Sequence, residues 1–213
     1  MLSAIHLNNK DIKTKKDMKK LLLIITFAIA ALCANAQSNS EHLKFKGVPI
    51  DGTVTEFAKK LEEKGFKTLM AQGDTYCITG DFAGYSNCMV YLMFTKSTKE
   101  VYGVGVIPSF CKTWNELISQ YNKFKNNLTI KYGEPTGCIE EFKSYTPHSD
   151  QSKFYAVERG DCDYKTLFET ESGSITVGIS STKNDGEALC SIAVVYTDKA
   201  NKEKEDQNVI DDL

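Results

Sequence analysis

The sequence predicts an α+β domain in which two amphipathic helices pack on one side of an antiparallel β-sheet. Two observations lead to this fold class. A helix signature followed by a meander of strand-like segments occurs twice along the chain, so two helix-then-meander repeats are expected. Helices and strands are thus segregated, which is typical of an antiparallel sheet with helices on one side and not of a doubly wound parallel sheet.

The first helix is predicted to begin at the capping box Thr53-Val54-Thr55-Glu56, in which the threonine hydroxyl and the glutamate carboxylate satisfy backbone amides at the helix start. Its apolar residues have the spacing of one helical face: Val54, Phe57, Ala58 and Leu61. Gly65 is expected to end the helix in a left-handed conformation, with Phe66 making the accompanying apolar contact.

The second helix is predicted from another capping box, Thr113-Trp114-Asn115-Glu116. Its apolar stripe is longer and rich in aromatic residues: Trp114, Leu117, Ile118, Tyr121, Phe124, Leu128 and Tyr132. Gly133 and Pro135 stop it. A stripe of this kind indicates a core face rather than a ligand site.

Strand-like segments separated by Gly, Asp, Asn and Ser follow each helix. After the first helix they are 66–70, 75–82, 88–94 and 101–107. After the second they are 138–142, 154–158, 164–170, 174–180 and 189–196. The run Gly103-Val104-Gly105 lies inside one of these segments with no helix after it, so it does not indicate a dinucleotide site. No cofactor is implied.

Residues 1–36 are predicted to be a cleavable signal peptide, so the protein is expected to be exported to the periplasm or the exterior. Met18-Lys19-Lys20 precedes the apolar run 21–33, and Ala34-Asn35-Ala36 has the small-residue pattern of a cleavage site. The run is shorter than the about 20 apolar residues that span a membrane. No stable membrane anchor is therefore expected after cleavage.

The rest of the chain is divided into a single α+β domain, 37–198, and a polar C-terminal tail, 199–213. The tail is expected to be mobile, a short docking helix or a recognition tag. Residues 1–17 are either an extended n-region or the result of a start codon assigned too early. Lipidation at Cys33 is the alternative to cleavage, but the preceding residue is Leu32, where lipoprotein signals carry a small residue.

Charge excludes two classes of partner. The whole chain has a formal net charge of −2, with 26 basic and 28 acidic residues. Removal of residues 1–36 takes away six Lys and two Asp, which leaves 20 basic and 26 acidic residues and a net charge of −6. Nucleic acids and anionic membrane surfaces call for a basic patch and are poor candidates.

Six of the seven cysteines remain after cleavage, and an even number in an exported chain indicates disulfides. Index sums centred on the likely turns predict the pairs Cys77–Cys88 and Cys138–Cys162. This leaves Cys111–Cys190 as a long-range pair, and the alternative is that every cysteine is reduced and buried. There is no C-x-x-C pair, and only His42 and His148 remain in the mature chain. Neither a metal site nor redox catalysis is therefore predicted.

Two functional hypotheses from different classes remain. The first is a non-enzymatic binding module, an inhibitor or envelope interaction protein, that holds a protein or glycan through aromatic residues on the solvent side of its sheet: Tyr85, Tyr91, Tyr102 and Tyr164. The second is a hydrolase of unfamiliar type acting on cell-wall or host material, which requires His148 or paired carboxylates to converge in a pocket. His148 lies in the polar loop and His42 close to the processed end, so no catalytic residue is assigned and the first hypothesis is favoured.

Three motifs carry a resemblance to known proteins: Phe45-Lys46-Gly47-Val48-Pro49-Ile50-Asp51-Gly52, Lys131-Tyr132-Gly133-Glu134-Pro135 and Asp211-Asp212-Leu213. With these motifs the chain resembles small secreted proteins of Bacteroidota-type bacteria that have no assigned activity, so the resemblance implies no catalytic residues. The doubled helix and meander are similar to β-lactamase-inhibitor-like and outer-membrane-assembly-lipoprotein-like domains. That likeness implies binding to other proteins, by analogy of fold.

Overall fold

The computed structural model describes residues 41–184 and 186–211, which contain four helices and eleven strands. The helices are α1 (Val54–Glu62), α2 (Trp114–Tyr132), α3 (Asp150–Glu158) and α4 (Lys199–Asp211). Two short strands, β1 (Lys44–Phe45) and β2 (Val48–Pro49), pair as a hairpin. The predicted signal peptide, residues 1–36, lies outside the described residues.

The remaining nine strands form one antiparallel sheet. They are β3 (Lys67–Gln72), β4 (Thr75–Phe82), β5 (Tyr85–Phe94), β6 (Val101–Ile107), β7 (Phe110–Cys111), β8 (Gly137–Phe142), β9 (Cys162–Thr170), β10 (Gly173–Asn184) and β11 (Glu187–Asp198). Eight of them follow the order β3-β4-β5-β6-β11-β10-β9-β8, and β7 pairs with β11. The predicted α+β fold class with an antiparallel sheet is thus confirmed.

The sheet is built from two meanders that meet at their last strands. The first meander, β3 to β6, follows α1, and the second, β8 to β11, follows α2. β6 and β11 pair in the middle of the sheet, with Val106 opposite Val194 and Val104 opposite Tyr196. Each repeat leaves its first strand, β3 or β8, at an edge of the eight-stranded path.

Both predicted helices begin where their sequence patterns indicate, but the reciprocal capping box forms only on α1. On α2 the carboxylate of Glu116 accepts a hydrogen bond from the backbone N–H of Lys112 and not from that of Thr113. Thr53 and Glu56 form a reciprocal capping box on α1, which buries its four predicted apolar residues. On α2, the side chain of Thr113 accepts a hydrogen bond from the backbone N–H of Glu116, and Gly133 ends the helix at a φ of 89°. These local signals suffice because each satisfies backbone groups that a helix end leaves without partners.

The face of the sheet that carries α1 and α2 contains the core. Side chains from the central strands and from both helices form one apolar cluster, which includes Val90, Val106, Val177, Val194, Phe57, Leu61, Leu117 and Tyr121. The β1–β2 hairpin joins this cluster through Phe45, whose ring lies 5.4 Å from that of Tyr196 and 5.6 Å from that of Phe82.

Two segments differ from their predictions. Residues 154–158, predicted as a strand, belong to α3, which begins at a Ser149–Ser152 capping box. A serine in place of the usual glutamate or glutamine weakened this helix signal, and the β-forming residues Phe154 and Tyr155 outweighed it. The tail beyond Asp198 is helical over Lys199–Asp211, so among the three alternatives the structure shows a helix.

Candidate functional site: the open face of the sheet

Alternation along the strands separates the covered face of the sheet from an open face, which lies opposite α1 and α2. On β5, Cys88, Val90 and Leu92 are buried against the core, whereas Met89, Tyr91 and Met93 point the other way. β10 alternates in the same manner, with Ile175, Val177 and Ile179 buried in the core. Along the inner strands the open face therefore carries the residues that alternate with the core residues. The edge strands β3 and β8 have no residue buried on either face.

One row of residues crosses the open face from edge to edge. Consecutive cross-strand partners define it, and we call it the central row: Met70, Cys77, Tyr91, Gly105, Val195, Thr176, Leu167 and Gly137. Each of the eight strands contributes one residue, and none of the eight residues is charged. The side chain of Met70 is 51% exposed and that of Tyr91 37%.

Apolar residues also lie beside the central row. Met89 pairs with Ile107 on one side of it, and Met93 pairs with Gly103 on the other. At the second edge, the side chain of Ile139 is 47% exposed. Met89 and Met93 thus lie on either side of Tyr91 along β5, and Met70 lies two strands away in the central row. Methionine adapts its shape to different partners more readily than branched residues do.

α4 borders the open face at one end. A cavity of about 390 Å³ lies there, lined on the sheet by Glu169, Ser174 and Thr197 and on the helix by Lys199, Lys202 and Glu203. The sheet residues of this cavity belong to the row next to the central one, because Thr197 pairs with Gly103 and with Ser174. The polar cavity therefore marks the boundary of the apolar surface.

Gly105, in the middle of the central row, is not required by the packing of this chain. A Cβ atom built there has no neighbour within 4 Å, and the residue does not have a positive φ. Gly103, two residues earlier, differs because its Cβ would lie 2.3 Å from Met93 Cε and 2.9 Å from the carbonyl oxygen of Tyr196. A glycine in a strand that neither packing nor backbone conformation requires often marks the close approach of a ligand or another backbone.

The structure does not bring the four predicted tyrosines together. Tyr91 lies in the central row, and Tyr102 lies at the α4 boundary with Lys202 Nζ 5.6 Å from its ring. Tyr85 stacks on Phe124 of α2 at 5.5 Å, on the covered side. Tyr164 is also on the covered side, 5.4 Å from the ring of Trp114. The prediction of one exposed tyrosine cluster is therefore wrong, since two of its members pack against α2.

Sequence reasoning missed the methionines. The run Met89-Val90-Tyr91-Leu92-Met93 is apolar at every position, whereas a strand with one wet face alternates apolar and polar residues. In an antiparallel sheet covered on one side, a strand that is apolar on both faces indicates that the uncovered face is apolar too. The sequence therefore contained a signal for an apolar open face, in the same run as Tyr91.

The strand register contradicts two of the three predicted disulfides. All six cysteines within residues 41–211 are free thiols in this structure. Cys77 pairs with Tyr91 and Cys88 with Gly80, so the two cysteines point to opposite faces. Cys138 pairs with Thr166 and Cys162 with Phe142, which places them four residues apart along the β8–β9 ladder. Four residues span about 13 Å, well beyond the about 7 Å between Cα atoms that a disulfide can bridge.

Cys111 and Cys190, by contrast, are direct cross-strand partners on β7 and β11. Both side chains are buried, and the side-chain amide of Gln120 donates a hydrogen bond to Cys111 Sγ at 3.3 Å. Burial raises the pKa of the Cys111 and Cys190 thiols to about 11.

The two histidines of the described residues lie in different surroundings. His148 is exposed in the loop before α3. The Nδ1 atom of His42 lies 3.1 Å from Asp198 Oδ1, and its Nε2 atom lies 3.7 Å from Asp51 Oδ1. Ser172 and Lys131 line a cavity beside His42. Because both ring nitrogens face carboxylates, the imidazole is not directed at a hydroxyl nucleophile.

Asp198 serves instead as a structural clasp between the two ends of the domain. Its side chain is fully buried and accepts hydrogen bonds from the backbone N–H groups of Leu43 at 2.8 Å and Asn201 at 2.9 Å. The bond to Asn201 caps the start of α4. Asn201 in turn donates its side-chain amide to the carbonyl oxygens of Ile50 and Val101.

A second polar network lies between α2 and β8. Lys125 Nζ is 2.6 Å from Glu140 Oε1, and the hydroxyl of Tyr121 donates to the same oxygen at 3.1 Å. The hydrogen bond from Lys125 lowers the pKa of Glu140, although partial burial opposes this effect. Cys138, whose sulfur is 3.3 Å from Lys125 Nζ, is an exposed thiol at this edge.

Two findings concern metal ions and membranes. Within the part of the chain that the structure describes, no three histidine, cysteine, aspartate or glutamate side chains are grouped so as to hold a metal ion. No helix in residues 41–184 or 186–211 is long and apolar enough to cross a membrane.

Comparison of the chain with protein-family models, with curated proteins and with solved structures found no match. The function must therefore be inferred from the chain's own residues, foremost among them the central row.

Proposed function

We propose that this protein is an exported, non-enzymatic binding module, and that the central row is the contact surface for an apolar segment of a partner protein. The observation that carries the proposal is a charge-free row that crosses eight strands on the uncovered face. Charged residues are depleted in the centres of protein interfaces, whereas aromatic residues and methionine are enriched there. Export rests on the signal-peptide pattern of residues 1–36.

The dimensions of the central row fit an extended polypeptide. Eight strands at about 4.8 Å spacing make a surface about 34 Å long. An extended segment of about ten residues, at about 3.3 Å each, would cover it. Such a segment would lie across the strands, with its apolar side chains between Met70 at one edge and Leu167 near the other.

The chemistry of the row favours a protein over a glycan. Hydroxyl groups come only from Tyr91 and Thr176 among its eight residues, and no carboxylate, amide or guanidinium side chain is present. A sugar that bound there would bury its own hydroxyls without partners, which costs about 1–3 kcal/mol for each group. An apolar peptide carries no such penalty on its side chains.

Gly105 gives the partner a place of closest approach. Its neighbours across the strands are Tyr91 and Val195, so the missing side chain leaves a depression between an aromatic ring and a branched side chain. A partner side chain or backbone can enter there without displacing any atom of this chain.

The proposal is tested with peptides selected from a displayed library of random linear sequences on the immobilised protein. One selected apolar peptide is titrated by calorimetry against the wild type, Gly105→Val and the control Ser180→Val. Ser180 is exposed on the same face but lies outside the central row, opposite Ser191. Gly105→Val should weaken binding at least tenfold, because its side chain fills the depression, while Ser180→Val should bind like the wild type.

Thermal unfolding of each variant shows whether the fold is intact. Equal affinity of the wild type and Gly105→Val for every selected peptide would overturn the proposal. The proposal would also be overturned if no peptide were selected and a glycan bound the wild type and Gly105→Val equally well. A protein retained from an envelope extract counts in support only if the purified partner shows the same dependence on Gly105.

A further inference from the structure

The placement of Cys111 and Cys190 has a chemical consequence that is independent of the open face. Facing residues in an antiparallel pair have Cα atoms about 4.5–5.5 Å apart, and disulfides join Cα atoms about 4.4–6.8 Å apart. The register of β7 on β11 sets these two residues directly opposite each other. Their side chains lie on the same face, because cross-strand partners always do.

Both thiols point to the covered face, where the core holds them. Cys190 also pairs with Ser181 on β10, two residues beyond the buried Ile179, and both cysteines belong to the apolar cluster. Neither sulfur therefore has to leave the core to reach the other. In the other two predicted pairs, Cys77 and Cys88 point to opposite faces, and Cys138 and Cys162 lie four residues apart along the ladder.

A third thiol lies near this pair. Cys162, at the start of β9, is partly buried on the covered face and interacts electrostatically with Cys190. Burial raises the pKa of Cys162 to about 12. The cross-strand partner of Cys162 is Phe142, so the register sets no cysteine directly opposite it, in contrast to Cys111 and Cys190.

We infer that Cys111 and Cys190 are the oxidation site of this domain and close to a single intramolecular disulfide when the folded protein meets a small-molecule disulfide. In the reaction, the two S–H bonds break and one S–S bond forms. Two electrons and two protons pass to the small-molecule disulfide, which is reduced to two thiols. The bond ties β7, and with it the start of α2, to β11.

The bond would close a loop of 80 residues from Cys111 to Cys190, which is almost the whole second repeat. Constraining a loop of this length restricts the unfolded chain strongly. Oxidation is therefore expected to lower the unfolding equilibrium constant by about a hundredfold to a thousandfold.

Differential alkylation with peptide mapping tests the assignment. The purified protein is equilibrated with oxidised and reduced glutathione, quenched in acid, alkylated in denaturant and digested with trypsin. Cleavage after lysine and arginine places Cys111 in peptide 100–112 and Cys190 in 184–199, whereas Cys77 and Cys88 share peptide 68–96. The expected product is a cross-link of the first two peptides that lacks two hydrogens, with peptide 68–96 alkylated twice.

Two variants and one comparison complete the test. Cys111→Ser should abolish the cross-link, whereas Cys162→Ser should leave it in place. Urea unfolding of the oxidised and the reduced wild type gives the change in stability without any substitution. Full alkylation of both Cys111 and Cys190 in protein that is folded throughout the treatment would refute the inference, as would a dominant cross-link that contains Cys162.

Discussion

Asp198 is expected to be the most sensitive acidic residue of the domain. Asp198→Ala removes the acceptor for two buried backbone N–H groups, those of Leu43 and Asn201, together with the contact to His42. A hydrogen bond to a charged group contributes about 1.5–3 kcal/mol, and an unsatisfied buried donor costs a similar amount. The two backbone hydrogen bonds together, with the contact to His42 left out of the sum, give a loss of about 4 kcal/mol in the free energy of unfolding.

For a domain of this size the loss corresponds to a fall of about 8–16 °C in Tm. Urea unfolding followed by circular dichroism measures the loss in the free energy of unfolding. The matched control is Asp74→Ala, whose carboxylate is paired with Lys96 and Lys99 but is 56% exposed. Exposed ion pairs contribute little to stability because water and salt screen them, so the control should lose much less than Asp198→Ala. Equal losses in the two variants would show that the clasp at Asp198 does not hold the domain together.

The remaining predictions concern two glycines and one ion pair. Gly105→Ala should raise the free energy of unfolding by about 0.5–1 kcal/mol, because the new Cβ enters open space and the unfolded chain loses freedom. Gly103→Ala should lower it, because its Cβ would lie 2.9 Å from a backbone oxygen, and a urea midpoint that rises in both variants would contradict this contrast. Glu140→Gln should lose up to about 1 kcal/mol at neutral pH, a value kept small because the side chain is 38% exposed. The folded-state pKa of Glu140 is lowered, so the stabilisation exists above its ordinary value near 4.5 and disappears as pH falls through the lowered value. Urea unfolding at a series of pH values should therefore show wild type and variant converging in acid, and a gap that persists at low pH would exclude the Lys125 pairing as its cause.

Both long predicted helices and the strand segments of the first repeat follow from local patterns. A capping box, an apolar stripe and a terminal glycine act within a few residues of one another, so α1 and α2 could be located without knowledge of their neighbours. Residues 75–82 and 101–107 coincide with β4 and β6 for the same reason. α3 was missed because its cap is weaker than the strand propensity of Phe154 and Tyr155, and its packing on the sheet overrides that propensity.

Disulfide pairing shows where local reasoning stops. Strand register depends on turn geometry and on which face is buried, and a shift of one residue moves every side chain to the other face. The β4–β5 turn pairs Phe82 with Tyr85, and the bulge between Gly80 and Phe82 shifts the register by one more residue, so Cys77 faces Tyr91 and not Cys88. Cys111 and Cys190 could be paired by elimination, but their apposition depends on β7, a strand of two residues that no periodicity reveals.

The sequence by itself determined the α+β class, the two repeats and the positions of their helices, because these follow from backbone groups and side chains that are near neighbours along the chain. The central row and the clasp at Asp198 were decided by the tertiary structure alone. The row draws one residue from each of eight strands, and Asp198 meets Leu43 across 155 positions of the chain. Contacts of that kind arise only when the strand order and register are set, and those depend on how the whole chain buries its apolar surface.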